Sequence, residues 1–439
     1  MYDLIVIGGG PAGYKAALKA ASSGLSTVLF EKKSLGGVCL NEGCIPTKSL
    51  LYSAKMYDHA LTSEAFGVSA EAVSFDYGKV LKRRDRVVRR LVGGVGAALK
   101  AAGVEVVAEE AVLKDAHHVE AGGKTYECSN LLLCTGSVPF VPPIPGAERA
   151  LDSSAALALD RIPSSVAIIG GGVIGMEFAS IYNSFGAEVD VIEATPGILG
   201  GLDREISSML QACYEKKGVR FHLGCRVSGV RETSVSFSTP EGEQCSLEAE
   251  SVLVCVGRRP RLEGLEALGL ETGRGVKVDS HMRTSVEGVY AAGDITGVSM
   301  LAHTAIREGE IAVEDILHRR DPSRREQAMS YAAIPSVVYT NPEIACVGAG
   351  EDNMPEGAIV KKIPMLFSGR FAAENEKTDG ICKLILSPDS RILGVHMLGN
   401  GASEIIHSCC LAVGMALSLD DFRSTVFPHP TVSEILKEF

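Results

Sequence analysis

The chain opens on an unbroken apolar run, Asp3-Leu4-Ile5-Val6-Ile7, which predicts a parallel strand covered on both faces. An alanine-rich stretch to about Ser23 predicts a helix, and Ser26-Thr27-Val28-Leu29-Phe30 a second strand. The same succession returns as Ser165-Val166-Ala167-Ile168-Ile169, a helix, and Val189-Asp190-Val191-Ile192. Each copy later closes with an apolar strand ending in glycine, Leu131-Leu132-Leu133-Cys134-Thr135-Gly136 and Val252-Leu253-Val254-Cys255-Val256-Gly257. Strands alternating with helices predict an α/β fold, and the recurrence predicts one unit used twice. Gly288-Val289-Tyr290-Ala291-Ala292 adds a strand ahead of a helix near Met300-Leu301-Ala302-His303. The last part of the chain breaks the rhythm. Val337-Val338-Tyr339, Lys383-Leu384-Ile385-Leu386 and Ile392–Met397 read as strands, with helices near 402–415 and 431–438, which predicts an α+β domain. A proline-rich connector, Val138-Pro139-Phe140-Val141-Pro142-Pro143-Ile144-Pro145-Gly146, marks a domain boundary.

Composition narrows the class. A chain of 439 residues has room for several domains. No apolar window approaches the roughly 18 residues of a membrane span, and the first strand begins at Tyr2 without a leader pattern, so a cytoplasmic protein with no membrane partner is expected. Twelve cysteines are dilute and sit mostly inside apolar strands, as small hydrophobes in a reducing compartment. A net charge of -11 argues against nucleic-acid binding. The basic run Lys82-Arg83-Arg84-Asp85-Arg86 with Arg89 and Arg90 interleaves with Val80, Leu81, Val87, Val88 and Leu91 at helical spacing, and reads as a solvated helix face.

Chemistry enters after the first strand. Gly8-Gly9-Gly10-Pro11-Ala12-Gly13 sits between strand and helix, and the next strand ends in Glu31. Gly8, Gly10 and Gly13 allow the tight turn and close approach of a pyrophosphate, the helix N-terminus holds its charge, and the acid accepts ribose hydroxyls. In the second copy Gly170, Gly172, Gly175 and Glu193 take these places, and the spacing from 8 to 31 and from 170 to 193 is 23 in both. Two dinucleotide sites are expected.

Directly after the first site comes Gly36-Gly37-Val38-Cys39-Leu40-Asn41-Glu42-Gly43-Cys44-Ile45-Pro46-Thr47-Lys48. Residues i and i+5 of a regular helix have Cα atoms about 8 to 9 Å apart, whereas a disulfide needs less than about 7 Å. A Cys39–Cys44 bridge therefore requires a distorted helix start, which Gly37 and Gly43 permit. Lys48, four residues after Cys44, shares its helix face. Among ten histidines only His429 is held between two prolines, Pro428 and Pro430, which stiffen the backbone and admit a cis bond before Pro430. Imidazole is the side chain suited to take the protons a dithiol releases. Thr431-Val432-Ser433-Glu434 has the spacing of a capping box.

Taken together, Gly36 to Lys48, the segment Ala291-Ala292-Gly293-Asp294 and the segment His429-Pro430-Thr431-Val432-Ser433-Glu434 resemble the motifs of the flavoprotein disulfide reductases, end to end. Within that family the chain is similar to the dihydrolipoamide dehydrogenase branch. The resemblance implies two Rossmann-like domains, for FAD and NAD, and a C-terminal α+β dimerisation domain. The expected bounds are 1–145 for the FAD domain, 146–258 for the NAD domain, 259–330 for a return to the FAD domain, and 331–439 for the interface domain. It implies a Cys39–Cys44 redox disulfide, Lys48 paired with Glu177 beside the flavin, and His429 oriented by Glu434 and completing the site of a partner subunit. It adds Ala111, Thr135, Gly136, Asp294, Ala302 and, in the second copy, Gly257 as cofactor contacts. The implied reaction is NAD⁺-dependent oxidation of a dihydrolipoyl group on a carrier protein, of a 2-oxoacid dehydrogenase complex or a glycine cleavage system, by a homodimer. Alternatives are another disulfide reductase or a redox-inactive nucleotide-binding assembly protein. Glutathione-type relatives place Lys where Thr47 stands and a tyrosine where Val173 stands. Mercuric-type relatives carry a thiol pair at the C-terminus, whereas Cys409-Cys410 lies inside a helical stretch and no metal site is expected. The segment Gly348–Gly357 reads as a contracted loop where relatives often carry a helix.

Overall fold

The computed structural model describes residues 1–375 and 379–439, which divide into two compact units. The first comprises Met1–Ser49, Leu81–Phe140 and Gly257–Ser330. Its sheet runs Glu105–Val107, Thr27–Phe30, Tyr2–Ile7, Lys124–Leu133, with Val289–Ala291 parallel to the last. The register pairs Ile7 with Phe30 and with Leu133, and Leu133 with Ala291. Four strands therefore end at one level, and Gly8, Glu31, Thr135 and Asp294 leave from it. Ligands of open α/β sheets bind at this edge. The first half of Lys124–Leu133 instead pairs antiparallel with His118–Ala121. Leu4, Ile5, Val6, Leu131 and Leu132 are fully buried, as expected for strands covered on both faces. Helix Ala302–Arg320 packs so closely on helix Pro11–Ser22 that a Cβ on Gly309 would lie 2.7 Å from the Ala12 carbonyl oxygen.

The second unit comprises Leu50–Val80, Val141–Val256 and Tyr331–Phe439. It holds a parallel sheet, in the order Arg220–Leu223, Glu188–Glu193, Ser165–Ile169, Ser251–Val254, and a three-stranded meander, Arg226–Val230, Ser234–Ser238 and Gln244–Glu248. It also holds a five-stranded antiparallel sheet, Ser336–Val338, Ile344–Gly348, Ile392–Leu398, Ile381–Leu386 and Ile359–Pro364, on which helix Ala402–Gly414 buries Ile405, Ile406, Cys409 and Ala412. These elements match the α/β and α+β expectations with one correction. Val432–Lys437 is a 3-10 helix. Its turns close on bonds three residues apart, Glu434 N to Thr431 O at 3.3 Å and Glu438 N to Ile435 O at 3.3 Å. The contracted loop is a tight turn closed by Asn353 Oδ1, which accepts from the Gly350 amide at 2.7 Å. Among the described residues no helix is long and apolar enough to cross a membrane.

Candidate active site

At the first fingerprint, helix Pro11–Ser22 begins at Gly10 with no side chain capping it. The same holds at Gly172 ahead of helix Val173–Ser184, and at Leu301 ahead of Ala302. Elsewhere Asp152, Asp203, Ser368 and Ser418 cap their helices with side-chain oxygens. Helices Gly37–Glu42 and Ala402–Gly414 also begin without a side-chain cap, but only the first three follow a parallel-sheet edge or glycine fingerprint, and their first-turn amides are left for an anionic ligand, the arrangement that holds pyrophosphate. Gly13 must lack a side chain, since a Cβ there would sit 1.8 Å from the Gly8 carbonyl oxygen. Glu31 accepts from the Gly9 amide at 2.8 Å and from the Lys33 amide at 2.7 Å. Glu193 repeats the pattern, accepting from Gly171 N at 2.7 Å and Thr195 N at 2.8 Å. Gly136 and Gly257 both take positive φ, 73° and 113°, just after their strands. Ala111 is half-buried against the core of the first unit.

The expected helix distortion takes a definite form. Cys39 lies in a short helix, Gly37–Glu42, and Cys44 is the first residue of another, Cys44–Leu61. Gly43 breaks the two apart, with φ -144° and ψ -113°. Gly37 packs on the fingerprint itself: its φ is 55° and a Cβ would lie 2.7 Å from Gly10 Cα. Asn41 Nδ2 ties the short helix back by donating to the Leu35 and Gly37 carbonyls at 3.0 and 2.8 Å. Thr47 Oγ1 donates to Gly43 O at 2.7 Å, closing the first turn of the second helix.

Both cysteines are free thiols and hydrogen-bond partners. The Cys39 thiol is pushed well above its usual range by that bond to Cys44, then by burial and by the charge of Cys44. Lys48 acts against the shift and Asp294 adds to it. The two thiols therefore lose their protons as one pair, with Cys39 held protonated by its bond to Cys44.

Asp294 begins a 3-10 turn, Asp294–Thr296, right after strand Val289–Ala291. Its Oδ2 accepts from Ser137 Oγ at 2.5 Å, and Arg258 Nε donates to the same hydroxyl at 2.8 Å. Thr135 Oγ1 donates to Arg261 O at 3.0 Å. Glu308, fully buried, accepts from the Gly293 amide at 2.6 Å and so fixes the turn that presents Asp294. Ser137, Arg258 and Glu308 were not singled out by sequence. Only Glu308 left a trace, as a charge amid the small residues Ala305, Gly309 and Ala312 of a helix face that is buried.

In the second unit, Glu177 is buried on helix Val173–Ser184 and accepts from the Tyr339 amide at 3.2 Å. Lys48 and Glu177 belong to different units. His429 precedes a cis peptide to Pro430, and its Nδ1 lies 2.9 Å from Glu434 Oε1. Glu434 Oε2 meanwhile accepts from the Thr431 amide at 2.9 Å, so one carboxylate both caps and orients. Those bonds, the Thr431 amide first and His429 second, hold the Glu434 carboxyl below the usual range. Cys409 is buried and Cys410 half-buried in helix Ala402–Gly414, with both thiols pushed up mainly by burial, Cys409 to about 12 and Cys410 to about 11.

This geometry has a counterpart among known proteins. The pyridine nucleotide-disulphide oxidoreductase model matches residues 2–309, and the dimerisation domain of the same family matches residues 334–439. The chain belongs to the pyridine nucleotide-disulphide oxidoreductase family. A dihydrolipoyl dehydrogenase of Bacillus subtilis (strain 168) is 39% identical over 454 aligned positions, covering 99% of this chain and 95% of the relative. That of Pseudomonas aeruginosa is 36% identical, covering 99% and 96%. Among solved structures, the HOCl-induced flavoprotein disulfide reductase RclA from Escherichia coli superposes with a TM-score of 0.87 at 25% identity, covering 100% of this chain and 99% of the other. Members of this oxidoreductase family use FAD and NAD(H), and the uncapped fingerprint helices fit both groups. The dimerisation domain indicates a homodimer.

Proposed function

We propose that the protein is a cytoplasmic NAD⁺-dependent dihydrolipoyl dehydrogenase acting on a lipoylated carrier protein. The observation that carries this reading is the Cys39–Cys44 pair packed on the first fingerprint, in a chain similar over its full length to several dihydrolipoyl dehydrogenases. Sequence identity to these relatives exceeds that to the disulfide reductase of similar fold, 39% against 25%. FAD, when bound, supplies the two-electron acceptor between the dithiol and NAD⁺.

The remaining roles belong to the chain's own residues. A carboxylate only accepts hydrogen bonds, so Glu434 fixes the proton of His429 on Nδ1 and leaves Nε2 as the base. The His429 side chain is 80% exposed although its ring is oriented, as suits a group that completes the site of a second subunit. His429 of the partner subunit takes the proton of one substrate thiol. The thiolate attacks Sγ of Cys39 in the oxidised pair; a substrate–Cys39 disulfide forms, the Cys39–Cys44 bond breaks, and Cys44 leaves as thiolate. The second substrate thiol then displaces Cys39, closing the cyclic disulfide of the product. Lys48, one turn from Cys44, holds positive charge beside the reduced pair. Glu31 and Glu193 accept ribose hydroxyls of the two dinucleotides, and Asp294, braced by Ser137, takes a hydroxyl of the flavin's sugar-alcohol chain.

Steady-state turnover decides the matter. Dihydrolipoamide with NAD⁺ is expected to be turned over far faster than glutathione disulfide with NADPH, and the reverse ranking would overturn the proposal.

A further inference from the structure

Helix Tyr77–Ala101 lies against the dithiol segment at both ends. Arg83 Nη1 donates to Ser49 Oγ at 2.9 Å, in the helix that begins at Cys44. Thirteen residues further, roughly 20 Å along the helix axis, a Cβ on Gly96 would touch Leu35 at 3.6 Å, just ahead of the short helix that carries Cys39. Along this stretch, from just before the first contact to just past the second, the helix carries an exposed cationic stripe. At 100° per residue, Lys82, Arg86, Arg89 and Arg90 fall within about a quarter to a third of the circumference, and Lys100 continues the line. All five are exposed. Asp85, the one acid in this stretch, is engaged by Arg84 at 2.7 Å. Among the described residues, Lys82, Arg86, Arg89 and Arg90 have no carboxylate within ion-pair reach.

Four adjacent unpaired cations are conspicuous on a chain of net charge -11, most of whose other exposed arginines are paired internally, as Arg220 with Glu188 and Arg259 with Glu263. Like charges one turn apart on a helix are mutually destabilising. An oppositely charged surface docking on them relieves that repulsion and steers association.

We propose that this stripe is the docking surface for the folded carrier domain that presents the dihydrolipoyl arm, and that the carrier meets it with an acidic surface. The inference rests on the proposed function: a dithiol borne on a protein must be delivered beside Cys39, and the stripe flanks that segment. The docking acts on carrier affinity and encounter rate and takes no part in the thiol chemistry, so free dihydrolipoamide bypasses it.

The test uses the FAD-loaded dimer and its triple variant Arg86→Glu, Arg89→Glu, Arg90→Glu, with two substrates, free dihydrolipoamide and a purified acidic lipoyl domain in its reduced form. In the parent, kcat/KM for the domain should fall steeply as salt rises from low to physiological strength, and kcat/KM for dihydrolipoamide should not. In the variant, KM for the domain should rise about tenfold or more at low salt, with kcat retained, the salt slope flattened or inverted, and dihydrolipoamide kinetics unchanged. Equal domain kinetics in parent and variant would overturn the docking site while leaving the activity intact. Loss of the dimer in the variant would also overturn it, making a second copy the occupant of the stripe. Absence of dihydrolipoamide turnover in the parent is a different failure, that of the function itself.

Discussion

In the first repeat Glu31 accepts from the Gly9 amide at 2.8 Å, and in the second Glu193 accepts from Gly171 at 2.7 Å. A Cβ on Gly13 would lie 1.8 Å from Gly8 O, and one on Gly175 would lie 2.0 Å from Gly170 O. Up to the acid the two copies are built alike. Beyond it they differ: the first runs from Glu31 to Cys39 and Cys44, and the second from Glu193 to Asp203. Asp203 caps helix Arg204–Lys216, accepting from Ile206 N at 3.2 Å, and receives the ammonium of fully buried Lys383 at 2.9 Å. The comparison separates two jobs. On the proposed function the turn and acid grip a nucleotide, and the segment after them is free to carry chemistry in one copy and to anchor another sheet in the other.

The largest way to break this comparison is at the first copy's cysteines. Cys39→Ser and Cys44→Ser should each abolish dihydrolipoamide turnover, by about a thousandfold or more, while keeping FAD. In Cys39→Ser the Cys44 thiolate loses its disulfide partner, and a long-wavelength absorbance from thiolate to flavin should appear without reductant. If that band appears in Cys44→Ser instead, the assignment of the two sulfurs is reversed.

Next comes the anchoring job of the second copy. Burial works against the Lys383 charge, but bonds to Glu205, Glu351 and Asp203 outweigh it and hold its pKa above the usual lysine range. The stabilisation is therefore complete below the ordinary lysine pKa and is lost only as pH rises through the raised value. Lys383→Met leaves the buried Asp203 carboxylate uncompensated and should cost about 3–5 kcal/mol in denaturant unfolding. A loss under about 1 kcal/mol would mean that the network relaxes without its centre.

The acids at the ends of the repeats test the shared job. Glu193→Ala should raise KM for NAD⁺ about tenfold and relax discrimination against NADP⁺, since Glu193 repels a 2′-phosphate and no arginine follows it in Ala194-Thr195-Pro196. FAD content should not change, because the proposed function gives that work to Glu31. Equal kcat/KM for the two cofactors in the unmodified protein would remove the basis for this expectation.

The smallest expected effect lies outside both repeats. The Glu434 carboxyl is held low by the Thr431 amide and His429, so its contribution is present above the ordinary carboxylate pKa and fades as pH falls through the lowered one. Thermal unfolding between pH 7 and pH 3 should show this acid loss in the parent and less of it in Glu434→Gln. Parallel profiles would show that the cap holds without its charge.

The linear chain determined what depends on neighbours in sequence. Both fingerprints, their acids, the covered strands around Leu4 and Ile168, and the closeness of His429 to Glu434 follow from glycine placement, apolar runs and short spacing, and the structure shows each of these features. The capping and orienting readings of Glu434 were both open in the sequence, and the geometry holds both, one on each oxygen. Tertiary structure alone decided how Gly43 splits the dithiol segment into two helices, and that Ser137 and Arg258 brace Asp294 from residues 157 and 36 positions away. The basic run of Tyr77–Ala101 is a solvated face as its spacing predicts, but only the tertiary structure decided that Arg83 turns to Ser49 and Arg84 to Asp85 while Lys82, Arg86, Arg89 and Arg90 keep no carboxylate partner among the described residues. The reason is physical: periodicity and turn chemistry act over a few residues, whereas a hydrogen bond between strand ends, or the absence of a carboxylate near an arginine, depends on which distant segments the sheet register brings together.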